Sequence, residues 1–79
     1  MRQTLDAPVV VVFGGRPLKI VWNGRDYRVN KVGLHHTYRD GRVLFHVFSL
    51  TADGVFFKLV LNSESLNWRL VEVADGLPN

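Results

Sequence analysis

Cysteine is absent from the chain, which excludes disulfides, thiolate metal sites and a cysteine nucleophile and suits a reducing compartment, so a cytoplasmic location is expected. Long apolar runs are absent too. The longest, Val9 to Phe13, is far shorter than a signal-peptide core or a membrane span, and no targeting segment is expected. Helical periodicity is missing throughout; residues 62–66 have room for one short turn at most. Catalytic signatures are missing as well. Ser49, Ser63 and Ser65 lack a nucleophile elbow, the acids are scattered through turns, and Gly14-Gly15-Arg16 opens no helix that would hold phosphate. The expectation is a chain that is not an enzyme and has no cofactor.

The 79 residues, 47% of them apolar and 22% charged, make a single small domain over 1–79, with 1–7 and 75–79 expected to be disordered. Its clearest local signal is Leu18-Lys19-Ile20-Val21-Trp22-Asn23-Gly24-Arg25-Asp26-Tyr27-Arg28-Val29, two alternating runs joined by Asn-Gly. A two-residue type I′ turn needs positive φ at both central positions, which Asn and Gly tolerate. The turn sets the register as Trp22 opposite Arg25, Ile20 opposite Tyr27 and Leu18 opposite Val29. One face then carries Leu18, Ile20, Trp22, Tyr27 and Val29, and the other Lys19, Val21, Asp26 and Arg28.

Before this hairpin, Val9 to Phe13 favours a strand, and Gly14 to Pro17 breaks it. The run is apolar at both parities, so it either covers a barrel or pairs with another chain. After Val29 the apolar parity shifts, which predicts a bulge near Asn30 or Lys31 that curls the strand. Residues 35–42 are polar and contain Asp-Gly; they are read as the longest loop or a loose hairpin tip. A second hairpin joins Val43–Thr51 to Val55–Asn62 around Asp53-Gly54, through either a two-residue turn or a three-residue loop. Phe57, Leu59 and Leu61 form its best core row. A four-residue connection places Trp68 opposite Leu61 and Leu70 opposite Leu59. The fold class expected is all-β: an SH3-like antiparallel barrel or strongly bent meander of five to six strands, with little or no helix.

Charge is unevenly spread. Residues 1–42 carry eight Lys and Arg against three Asp, and residues 43–79 carry two against four acids. Arg16, Lys19, Trp22, Arg25, Arg28 and Lys31 are the candidate binding face, because guanidinium groups that alternate with aromatics can neutralise phosphates and stack bases. The competing structural reading makes Trp22 and Arg25 a cation–π pair at the hairpin end and Tyr27 a core residue. Of the histidines, His35 and His36 are adjacent and so point to opposite faces of a strand, with no Cys or Glu at ligand spacing, and no metal site is expected. His46 falls in an apolar row.

Gly15-Arg16-Pro17, then Trp22-x-Gly24-Arg25-x-Tyr27-x-Val29, Asp53-Gly54 and Trp68 together resemble the small uncharacterised bacterial β-domains found alone or C-terminal to Y-family DNA-polymerase-like proteins. The resemblance spans residues 14–73 and implies a compact SH3-like module in a nucleic-acid context, with no catalytic residues. Two functions follow as expectations. The first is a non-catalytic binding module for protein interaction or assembly, with another protein or a second copy as partner. The second is nucleic-acid binding through the basic aromatic 16–31 hairpin. A membrane partner is not expected.

Overall fold

Alternating apolar residues and positive-φ turns dictate the architecture. The computed structural model describes residues 2–75. These form seven strands: β1 Arg2–Pro8, β2 Val10–Phe13, β3 Pro17–Trp22, β4 Arg25–Asp40, β5 Val43–Ala52, β6 Val55–Asn62 and β7 Trp68–Asp75. All neighbours are antiparallel, and the sheet order is β1-β7-β6-β5-β4-β3-β2. From β2 to β7 the chain is a meander. The fold is thus the expected all-β one, built as a curled half-barrel of seven strands instead of five or six.

The higher count comes from the N-terminal run. β1 pairs with β7, whereas β2, one residue further on, pairs with β3 at the opposite edge. A single bent segment therefore serves both edges and curls the sheet upon itself. Residues 2–7, expected to be disordered, instead form β1, whose backbone pairs with β7 from Arg2–Ala74 to Pro8–Arg69; Arg69 also donates to the Asp6 carboxylate at 2.7 Å and to its backbone carbonyl at 2.9 Å, and Arg2 meets Glu72 at 2.7 Å. Val9 to Phe13 covers the protein's own sheet. Asp75 ends β7, and the remainder of the segment 75–79 lies outside the described residues.

The Asn-Gly hairpin has the predicted register, Trp22 opposite Arg25 and Ile20 opposite Tyr27, with φ of 54° at Asn23 and 74° at Gly24. Leu18 departs from it. An irregularity against β2 makes Leu18 an extra residue between Pro17 and Lys19, so Pro17 takes the inner position and Leu18 turns out, 41% exposed. The Asp53-Gly54 turn has two residues, with Ala52 opposite Val55. Trp68 opposes Leu61 and Leu70 opposes Leu59, as the four-residue connection requires.

The inner face collects Ile20, Tyr27, Val29, Phe48, Leu50, Ala52, Phe57, Leu59 and Leu70. Phe57 is fully buried, with Tyr27 packed edge-on at 5.0 Å and Trp22 at 6.2 Å. Full burial of such side chains contributes about 1.5–3 kcal/mol each, which carries a domain of this size. Leu61, the third member of the predicted row, is half-buried.

Candidate functional site

Two bulges set the geometry of β4. The first, between Val29 and Lys31, is the predicted one; Val32 keeps to the inner face opposite Leu50. A second bulge follows at once, with Gly33 as the extra residue between Val32 and Leu34. Beyond it the parity is reversed. His35, Thr37 and Arg39 share the inner face with Leu44, His46 and Phe48, while Leu34, His36, Tyr38 and Asp40 share the outer face with Val43, Phe45 and Val47.

Residues 35–40, read from their polarity as a loop or loose tip, are instead paired strand from His35–Phe48 to Asp40–Val43. Stacking supplies what hydropathy does not. His35 lies parallel to Phe48 with centroids 4.3 Å apart, and Tyr38 lies on Phe45 at 5.0 Å. His35 Nε2 and His46 Nδ1 are hydrogen-bonded at 2.9 Å, with one ring donating and the other accepting. This pairing had no signal in the spacing, since residues eleven apart meet only through the register of β4 and β5.

On its other side β4 is open. β3 pairs with it only from Arg25 to Arg28, so among the described residues the edge from 29 to 40 has no neighbouring strand. Residues 33–42 are all exposed, and Leu34 and Tyr38 stand out at 57% and 47%. An unpaired row of backbone donors and acceptors is a template for another strand. At its base the Gly33 bulge opens a cleft of about 410 Å³ on the outer face, lined by Lys31, Leu34, Ser49, Thr51 and Phe56.

The six predicted binding residues divide between two faces. Lys19 and Arg28 are direct cross-strand partners on the outer face, and Lys31 joins that face opposite Thr51. Trp22 and Arg25 lie on the other side, at the hairpin end. Trp22 is half-buried edge-on against Phe57, so it is not a stacking platform for the outer cations. Arg25 sits 5.2 Å from the Tyr27 ring centre and not over Trp22, because Trp22 turns inward to the core. Arg16 is exposed in the bend before β3. Lys19 is neutralised by Asp26 at 3.3 Å, whereas Arg28 and Lys31 have no carboxylate within ion-pair distance among the described residues.

No protein-family model matches this chain, and no curated protein or solved structure is significantly similar to it. The described residues hold no cluster of three or more His, Asp or Glu at metal-binding distance and no helix long and apolar enough to cross a membrane.

Proposed function

We propose that the protein is a non-catalytic interaction module that takes a strand from a protein partner onto the open edge of β4, in the cytoplasm that a cysteine-free chain suits. The observation that carries this reading is the unpaired run 29–40, exposed from Gly33 onward and flanked by an apolar outer face. Strand addition draws its affinity from main-chain hydrogen bonds and its specificity from alternate side chains. Here those side chains are Leu34, His36 and Tyr38 on one face and His35 and Thr37 on the other. The molecule is elongated, 39 × 21 × 21 Å, and the open edge lies on the β4–β5 hairpin, clear of the closed part of the sheet.

A photoreactive side chain placed at Tyr38 in expressing cells tests the reading, with the same group at Lys58, on the outer face of the enclosed strand β6, as control. Protein adducts at position 38 that are absent at 58 are expected. No protein adduct at 38, or the same adducts at both positions, overturns the proposal.

The free cations favour a second reading, nucleic-acid binding across the outer face of the β3–β4 hairpin. Arg28 and Lys31 would contact phosphates without base stacking, so affinity would fall steeply with salt. Titration with single- and double-stranded oligonucleotides at two salt concentrations should then move amide signals along residues 16–31, and unchanged signals there sink this reading.

A further inference from the structure

The open edge of β4 is complementary to itself, and we infer that its partner is a second copy of this chain, paired antiparallel about a two-fold axis through His36. The inference rests on the strand-addition reading above and names its occupant. A two-fold axis perpendicular to a sheet keeps inner face with inner face, so residues of like parity must meet. With the axis at His36, His36 faces His36 of the partner copy, His35 faces its Thr37, and Leu34 faces its Tyr38. The two most exposed apolar side chains of the edge, 57% and 47% accessible in the single chain, thereby cover one another twice.

The Gly33 bulge extends the match. Because Gly33 is extra on each strand, Val32 comes opposite Arg39 of the other copy, and Lys31 comes opposite its Asp40. Lys31 and Asp40 are both exposed, both on the outer face, and neither has an opposite charge within ion-pair distance among the described residues. Two Lys31–Asp40 pairs thus close the two ends of the ladder. The neighbouring registers lack this agreement. An axis at Thr37 sets Leu34 against Asp40 and His35 against Arg39. An axis at Tyr38 sets Leu34 against Arg42 and leaves Lys31 beyond the tip. In the His36 register the outer apolar row of Leu34, Tyr38 and Phe45 runs continuously across both copies, and no open edge of β4 remains to recruit a third.

Sedimentation of the chain over a rising concentration series, with charge-reversed variants, tests the inference. Lys31→Asp and Asp40→Lys each place like charges at both ends of the ladder and should weaken self-association by roughly five- to tenfold. Both sites are exposed, and circular dichroism and thermal unfolding confirm that each variant folds. An equimolar mixture of the two variants restores opposite charges at both ends, so mixed dimers as tight as the wild type are expected. A mixture no tighter than either variant alone overturns the pairing, as does a wild-type chain that stays monomeric at every concentration. If the chain is monomeric but the crosslinker at Tyr38 captures a different protein, self-pairing fails while strand addition survives. Monomer with no adduct removes both.

Discussion

Asp53 links three segments through its backbone and side chain. It sits in the left-handed region at φ 49°, its carboxylate accepts from the Arg28 amide at 3.0 Å, and its own amide donates to the Asn30 side chain at 2.9 Å. The β5–β6 turn is therefore tied to the first bulge of β4, at the root of the open strand. Asp53→Ala should lower stability by about 1–2 kcal/mol, read from the urea midpoint, through the lost acceptor and the poorer tolerance of left-handed backbone. Asp53→Asn keeps an acceptor and a residue suited to that backbone, so it should recover most of the loss. Equal losses for the two variants would show that the side-chain bond to Arg28 contributes little. The sequence marked Asp53-Gly54 as a turn from local chemistry alone. The tie to Arg28 and Asn30 was not readable, because it joins positions 25 and 23 residues apart.

At the scale of the element, β4 owes its character to Gly33. No positive φ is required there, and an added Cβ would meet the Ser49 carbonyl oxygen at 3.6 Å, an ordinary contact. What matters is that the residue is extra: Val32 and Leu34 oppose the consecutive Leu50 and Ser49, so the strand bends at Gly33 while each side chain keeps its face. Deleting Gly33 should therefore remove the bulge and straighten the arm while keeping His35 and Thr37 inward and Leu34, His36 and Tyr38 outward. Retained upfield ring-current shifts on His35 from Phe48 are the expected result; their loss would mean that the arm flips to its other face. The first bulge was legible in the sequence because the apolar parity changes after Val29. The second was not. Beyond Gly33 only Leu34 and Tyr38, four residues apart, interrupt a polar run, and hydropathy carries no clear phase where neither face is a core. The same lack of phase made 35–42 read as a loop, although stacking of His35 on Phe48 and Tyr38 on Phe45 holds it as strand.

For the molecule as a whole, the meander was legible because most hairpin turns carry their own chemistry: Gly15, Asn23-Gly24, Gly41 and Asp53-Gly54 all take the positive φ that these residue types tolerate, whereas the β6–β7 connection places Leu66 there at φ 62°. Closure was not legible. Nothing local in Arg2–Pro8 announces a strand, since Arg2, Gln3, Thr4 and Asp6 gain their order from β7 more than sixty residues away. The exposed Asp6–Arg69 pair is itself worth little, and Asp6→Ala should cost no more than about 1 kcal/mol in chemical denaturation. Removing residues 2–7 altogether is a different matter. It bares the edge of β7 and takes away the half-buried Leu5, uncovering the part of the core against which Leu5 packs. The shortened chain should unfold at clearly lower temperature than D6A and associate through β7 as well as β4, so that its aggregation persists when β4 is blocked by the Lys31→Asp change. A melting temperature equal to that of D6A would show that β1 contributes only its ion pair.

The bent N-terminal segment also orders events in time. β1 leaves the ribosome well before its partner Trp68–Asp75 is made. At about 5–20 residues per second, the intervening sixty or so residues take about 3–12 s to synthesise. Throughout that interval β2 can dock on β3 while β1 waits as a loose strand beside its own unfinished sheet. The β1–β7 ladder is therefore the last of this sheet to form in the nascent protein, and any chaperone that shields the chain has those few seconds in which to hold Arg2–Pro8.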